Sequence, residues 1–344
     1  MRYIKYQPIT DCTLIEKARD GYDVAAVTSI YPFRLSSFYA GLIRQPGDAI
    51  WKQCMPDIQE LEDDQLPDPL FEDSLSPVPG LIHRYPNRAV LLVSNQCPVY
   101  CRFCMRKRHV GDGNRPLSRD ALDDALTYLS QHTGIQDVIL SGGDPLMLDN
   151  SSLFYVLSRL RAIKHVRIIR IGTRIPVTLP ERITTDLCDL LKQFHPLYIN
   201  THFNHPEEIN SESSAACNRL ADTGIPLGNQ SVLLKGVNDD IETMGSLMMR
   251  LLELRVKPYY IHQMDLVRGT GHFRTSVAAG LEIIRGLRGY ISGIALPHYV
   301  IDLPEGKGKV PILPDAVDRV GDVLWLTNYR GERIAYRDII TPQV

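Results

Sequence analysis

The sequence predicts an α/β fold, a parallel sheet wound with helices as an open or partial barrel or as a doubly wound sheet. Three observations carry this expectation. From Ala89 onward, short apolar runs alternate with amphipathic stretches of helical length. Six such units follow one another, too few for a closed eight-fold barrel. Chemically unusual residues fall just after the apolar runs, at the carboxyl ends of the strands, where α/β sheets gather ligands.

The elements follow in order. Residues 89–94 (AVLLVS) are the first buried strand, and 118–132 an amphipathic helix opened by Ser118 and Asp120. The unit recurs as strand 137–141 with helix 151–162, strand 166–172 with helix 182–194, and strand 197–201 with helix 212–223. It recurs again as strand 226–233 with helix 240–254, and strand 258–263 with helix 276–288. Residues 298–302 (HYVID) add a strand, and 323–336 read as a hairpin turning at Arg330-Gly331. Upstream, short helices are expected at 13–18 and 35–43, then a proline- and acid-rich connector or wrapping segment over 60–79. The plan is an N-terminal helical and wrapping segment (1–78), a core (79–296) and a C-terminal extension (297–344).

Composition narrows the function classes. The 344 residues carry 38 Lys and Arg against 40 Asp and Glu, a balance with no mark of a nucleic-acid or membrane-surface protein. Hydrophobic residues at 44% and charged residues at 23% describe a globular chain and not a disordered one. No apolar stretch reaches membrane-spanning length, and the first twelve residues lack a secretory signal, so a cytoplasmic location is expected.

Of seven cysteines, Cys97, Cys101 and Cys104 stand within eight residues, directly after the first predicted strand. In a reducing compartment such a trio points to a metal or catalytic site. Three thiolates on one loop can hold three irons of a 4Fe-4S cluster, leaving the fourth open to a small molecule. A zinc site completed by His109 is the alternative, which the three-residue gap fits poorly. Cys12, Cys54, Cys188 and Cys217 read as packing thiols.

Cys-x3-Cys-x2-Cys at this position resembles the radical S-adenosylmethionine (SAM) superfamily, which implies a partial (βα)6 TIM-like barrel. There the open iron chelates SAM, and electron transfer cleaves it to methionine and a 5′-deoxyadenosyl radical. The turn Gly142-Gly143-Asp144-Pro145 after the second strand matches the superfamily's glycine-rich SAM segment, although a bare GG turn is often only a tight loop.

Two further segments carry chemistry. The stretch 302–309 (DLPEGKGK) sets lysines among glycines just past a strand, where a desolvated lysine is an effective nucleophile toward an aldehyde. A solvated turn is the plainer reading. Residues 83–88 (HRYPNR) offer two guanidinium groups and a phenol, suited to phosphate oxygens or to a simple basic turn. Together with YCRFCMRKRH, SGGDPL, GNQSVLLKGVND and HFRT, these stretches resemble the lysine 2,3-aminomutase family over roughly residues 75 to 315. That family pairs radical SAM chemistry with pyridoxal 5′-phosphate (PLP).

The resemblance implies roles by position. Lys309 carries PLP as the catalytic lysine, with Lys307 the nearby competitor. Arg84, Tyr85 and Arg88 contact the PLP phosphate. Gly142, Gly143, Asp144, His202 and Gln230 lie near SAM, and Arg106 holds the substrate α-carboxylate. Asp265 and Asp302 grip the ε-ammonium of lysine. Two carboxylates in a partly dry pocket need a cation to stay ionised together, which a lysine ammonium or a guanidinium supplies. The family's glutamate-specific branch holds groups suited to an anion at these places, so the resemblance disfavours glutamate, with arginine, ornithine or a protein-bound lysine as alternatives to free lysine. Taken singly, either aspartate is an ordinary loop carboxylate. Zinc-bearing members use a cysteine where Asp240 stands, and no cysteine follows Cys217, so no structural zinc is expected. A one-electron reductant such as flavodoxin or ferredoxin, and a homo-oligomer, complete the implied partners. The non-enzymatic alternative is an iron–sulfur redox sensor or electron carrier, which needs neither Lys309 nor the Arg84/Arg88 pair.

Overall fold

The sheet begins with a hairpin that the charged sequence conceals. Strand β1 (Leu81–Tyr85) pairs antiparallel with β2 (Arg88–Ser94) across Pro86-Asn87. The basic segment 83–88 is therefore strand and turn at the amino end of β2, and Arg84, Tyr85 and Arg88 line the cavity described below. The structure, a computed structural model, describes residues 1–10, 24–111, 117–314, 317–320 and 323–337. The expected helix at 13–18, and Cys12, lie outside them.

Six β/α units follow. They are β2 with α1 (Arg119–Gln131), β3 (Asp137–Gly142) with α2 (Asn150–Ala162), and β4 (Ile168–Gly172) with α3 (Thr185–Leu191). Then come β5 (Leu197–Thr201) with α4 (Ser211–Asp222), β6 (Leu227–Leu233) with α5 (Ile241–Glu253), and β7 (Val256–Gln263) with α6 (Val277–Leu287). Strand β8 (His298–Asp302) adds parallel to β7, and β9 (Lys309–Pro311) returns antiparallel beside it. The order runs β1 to β9 without inversion. A doubly wound sheet would reverse at a switch point, so the partial barrel is the architecture adopted. Strands β10 (Val317–Val320), β11 (Val323–Thr327) and β12 (Arg333–Arg337) form a separate small sheet, with the expected hairpin turning at Gly331, φ 79°.

Alternation along the strands explains the core. Ala89, Leu91, Val138, Leu140, Ile169, Ile171, Leu197 and Ile199 are in register on one face and are buried. They meet the helices, for example the Leu122, Ala125, Leu126 and Leu129 stripe of α1 at helical spacing. Each such side chain contributes about 1.5–3 kcal/mol by leaving water. The intervening residues, Ser141, Arg170 and Asn200 among them, face the other way and line a cavity. The helices start on side-chain caps: Ser118 accepts from the Ala121 N–H and Asp240 from the Thr243 N–H.

The N-terminal segment wraps the carboxyl end of the barrel. The helix expected at 35–43 is one turn, Ser37–Ala40, capped by Ser36. Farther on, Asp63 accepts from the N–H groups of Thr270 and Gly271. The Arg268 N–H donates to Leu66 O, and the Glu305 N–H to Pro69 O. The acid-rich stretch is thus a strap laid across the carboxyl ends of the strands.

Candidate active site

The cysteine loop leaves β2 and is stitched to the N-terminal segment before it turns. The Tyr100 N–H donates to Arg34 O, and the Arg102 N–H to Gln53 O. Phe103, between the second and third cysteines, packs on Phe273 and His202. Arg102 is 1% exposed, and its Nε donates to Glu60 at 2.8 Å. The Lys107 ammonium donates to the same carboxylate at 2.6 Å and to Gly269 O at 2.7 Å. Burial pushes the Lys107 ammonium down to about 8 against the pull of Glu60. Arg174, set after β4, donates to Cys101 Sγ at 2.9 Å and is held by Glu208 at 2.5 Å and Gln53 at 2.6 Å.

The three thiols fit an iron–sulfur cluster. Burial pushes Cys97 well up, and the charges of Asp144, Cys104 and Cys101 add to it. Burial and then Cys101 push Cys104 up to about 11. Thiolates so close and so dry need a cationic group among them. Among the described residues no three His, Cys, Asp or Glu side chains converge as on a single metal ion. His109 instead pairs with Asp73 of the strap at 3.3 Å.

Gly142 and Gly143 let the β3 loop approach the start of the cysteine loop. Gly142 has φ 123°, and a Cβ there would meet Ser94 O at 2.1 Å; one on Gly143 would meet Gln96 O at 2.5 Å. Asp144 has a structural task. Its carboxylate accepts from the N–H groups of Leu146 and Arg174 and from Thr173 Oγ1, tying the β3 loop to the β4 loop. Burial raises its pKa to about 6. Asp144 thus ties the two loops together where the glycine-rich turn meets the cysteine loop. His202 follows β5; burial, then the Arg174 charge, lowers its imidazole to about 3, so it is neutral.

Beside this loop lies a cavity of about 520 Å³. Of the residues singled out by sequence, Arg84, Tyr85, Arg88, Arg106, Gln230, Asp302 and Lys309 line it. Met105 and Arg106 bring the end of the cysteine loop to its wall, whereas Cys101 and Cys104 face a recess of about 10 Å³ next to Tyr100. Gly308, at φ 98°, turns β9 so that the Lys309 N–H donates to the Tyr85 hydroxyl at 2.8 Å. This bond joins the two ends of the sheet. Lys307 points outward and pairs with Glu305 at 2.6 Å.

The Lys309 ammonium donates to Asp302, which also takes Arg84 at 3.3 Å and His262 Nδ1 at 3.2 Å. Burial pushes the Asp302 carboxyl up, but the His262 hydrogen bond and the Lys309 charge hold it below the usual carboxylate range. Burial pushes the Lys309 amine below the usual lysine range, Asp302 opposing. Asp265 stands near these groups. Burial and the Asp302 charge raise it to about 7, against the pull of Lys309. Arg106 is gripped by Glu72 of the strap, with Nε and Nη2 each 2.8 Å from a carboxylate oxygen, and its Nη1 donates to Ser141 at 3.1 Å. Arg88 Nε is buried with no hydrogen-bond partner among the described residues, a donor beside Tyr85 that suits a phosphate oxygen. A lysine of lowered basicity and two arginines on one wall fit PLP.

Glu60, Glu72 and His262 were not anticipated. The signal for the two glutamates was the run Arg102, Arg106, Lys107 and Arg108, which cannot be buried without anions. His262 carried none beyond its place at the end of a strand.

Comparisons with known proteins agree with this geometry. The model for the radical SAM superfamily matches residues 91–248, and that for lysine-2,3-aminomutase matches 284–339. The L-lysine 2,3-aminomutase of Clostridium subterminale is 45% identical over 98% of this chain and 80% of its own length. That of Fusobacterium nucleatum subsp. nucleatum is 50% identical over 88% and 73%. This chain belongs to the lysine 2,3-aminomutase family. Family members are radical SAM isomerases that act on small amino acids with a 4Fe-4S cluster, SAM and PLP. The family is not uniform in substrate: the glutamate 2,3-aminomutase of Clostridioides difficile is 43% identical over 95% of this chain and 78% of its own length. Among the described residues no helix is long and apolar enough to cross a membrane.

Proposed function

We propose that this chain moves the α-amino group of free L-lysine to the β-carbon, giving β-lysine. The observation that carries the reading is one cavity lined by Lys309, Arg84, Tyr85, Arg88, Arg106 and Asp302, with Asp265 behind its wall and within reach of the charges of Asp302, Lys309 and Arg106. When bound, the cluster and SAM supply a carbon radical, and PLP supplies a conjugated system over which an unpaired electron spreads.

The chain's own residues do the rest. Cys97, Cys101 and Cys104 would hold the cluster, with Gly142, Gly143, His202 and Gln230 close to where SAM would bind. Lys309 would hold the aldehyde of PLP, and Arg84 and Arg88 its phosphate. Arg106, fixed by Glu72 and Ser141, would orient the substrate carboxylate through the remaining edge of its guanidinium group. Asp265 titrates near 7 because burial, and then the Asp302 charge, penalise its ionised form more than Lys309 favours it. A substrate ammonium would complete that balance and ionise it, whereas a second carboxylate would add repulsion. This favours lysine over glutamate, and a guanidinium remains the closest competitor. A one-electron reductant such as flavodoxin or ferredoxin would feed the cluster, in a cytoplasmic enzyme that assembles as a homo-oligomer.

The test is an anaerobic assay with SAM, PLP, a reductant and a panel of L-lysine, L-arginine, L-ornithine and L-glutamate. Lysine is expected to give β-lysine about 100-fold or more faster than glutamate reacts, since an unpaired buried charge costs about 2–5 kcal/mol. Equal turnover of glutamate, or none of lysine, overturns the reading.

A further inference from the structure

His262 stands near the end of β7 and faces the same cavity as Lys309. Its Nδ1 lies 3.2 Å from Asp302 Oδ2 and 3.2 Å from Lys309 Nζ. A ring nitrogen can donate to the carboxylate or accept from the amine, but one nitrogen cannot do both in a single tautomer. The junction therefore has two states, distinguished by where one proton sits. We propose that His262 is the proton relay for Lys309, carrying a proton between the substrate amine and Lys309 Nζ when the lysine is displaced from PLP. This deepens the proposed function and rests on Lys309 being the PLP lysine.

The balance is simple. The incoming neutral amine forms a bond to the carbon held by Lys309, and the Lys309 carbon–nitrogen bond breaks. One proton must leave the incoming nitrogen and one must reach the departing Nζ, with no net gain or loss. His262 Nδ1 takes the first and returns it to Nζ. The other close groups are less suited. Asp302 touches Nζ but is held too acidic to carry a proton near neutral pH. Asp265 titrates near 7, but among the described residues no hydrogen bond joins it to Lys309. The charged and titratable groups around His262 are Asp302 from β8, Lys309 from β9, His202 from the loop after β5, and Tyr260 of its own strand, with ring centres 5.4 Å apart. Arg84 of β1 reaches it through Asp302. Burial, and then the Lys309 charge, hold the imidazole below its ordinary pKa against the hydrogen bond to Asp302. It is thus a neutral acceptor at working pH.

The experiment uses PLP-loaded protein without SAM or reductant, so that no radical forms. Stopped-flow absorbance of bound PLP after mixing with L-lysine reports its exchange off Lys309, and borohydride reduction with peptide mapping reports how much PLP the lysine holds. In H262F and H262Q, PLP on Lys309 and the melting temperature should match the parent, while exchange slows about 100-fold or more and loses its pH dependence. Parent-like exchange in either variant overturns the relay, as does the same slowing in D265N with none in H262F. Loss of PLP from Lys309 in both variants also overturns it, by making His262 a structural support. A parent protein that never carries PLP on Lys309 refutes the proposed function itself, a distinct result.

Discussion

The cysteine loop and the lysine edge open on the same end of one sheet, yet they are built on opposite electrostatic plans. Around the cysteines, the charges are locked in short buried pairs: Glu60 with Arg102 and Lys107, and Glu208 with Arg174. Around Lys309 they are shared or incomplete. Asp302 divides itself among Lys309, His262 and Arg84, Asp265 is half titrated near neutral pH, and Arg88 Nε has no partner among the described residues. Locked charge suits a group that stays in place. Shared charge suits groups that arrive, react and leave.

The harshest way to break this comparison is to remove one anchor from each side. Cys101→Ala should abolish the four-iron cluster on anaerobic reconstitution and all turnover, yet leave PLP trapping on Lys309 intact. Lys309→Ala should do the reverse, keeping iron and sulfide while losing the borohydride-trapped PLP. Coupled loss of both cofactors in either variant would mean that the two regions fold as one unit.

Next in size is Glu60→Gln, which leaves two buried cations unpaired. It should cost about 3–5 kcal/mol in denaturant unfolding. Burial raises the Glu60 carboxyl, but Arg102 and Lys107 outweigh it, so its folded pKa lies below the ordinary 4.5. Its stabilisation is therefore present above that value and is lost as pH falls through the folded pKa. Asp265 has the opposite sign. Its folded pKa of about 7 lies above the ordinary 3.8. What it adds to stability is present below the ordinary value and is lost as pH rises through about 7.

The smallest effect is the most informative about substrate. Lysine should bind more tightly as pH rises through about 7, where Asp265 ionises. Asp265→Asn should raise KM for lysine about 10- to 100-fold and flatten that pH dependence. A KM that keeps its slope would remove Asp265 from the ammonium site.

Much of the fold was legible because strand and helix periods are local. Runs such as AVLLVS and LYINT fall on β2 and β5 within a residue. The cysteine trio stood out as a motif directly after a strand and Lys309 as a lysine among glycines past another, whereas Arg84 and Arg88 showed only as a basic segment ahead of the first predicted strand. Strand β1 was not legible, because LIHRY carries charges on the cavity face, where a reader expects apolar alternation. Three-residue β9 is held by pairing with β8 and by Tyr85, a contact 224 residues away in sequence. Glu60 and Glu72 sat in a stretch whose composition reads as solvated, yet they are 0% and 4% exposed. Their partners lie 42 and 34 residues away, and no local pattern announces them.

The central claim is that both regions act on one substrate molecule, the radical at its β-carbon and the PLP lysine at its α-amino group. L-lysine carrying deuterium on its β-carbon, supplied with SAM, PLP and a reductant, tests it directly through the mass of the 5′-deoxyadenosine formed. Deuterium in that product, and returned to β-lysine, is the expected result. Unlabelled 5′-deoxyadenosine accumulating alongside unchanged lysine would contradict the account.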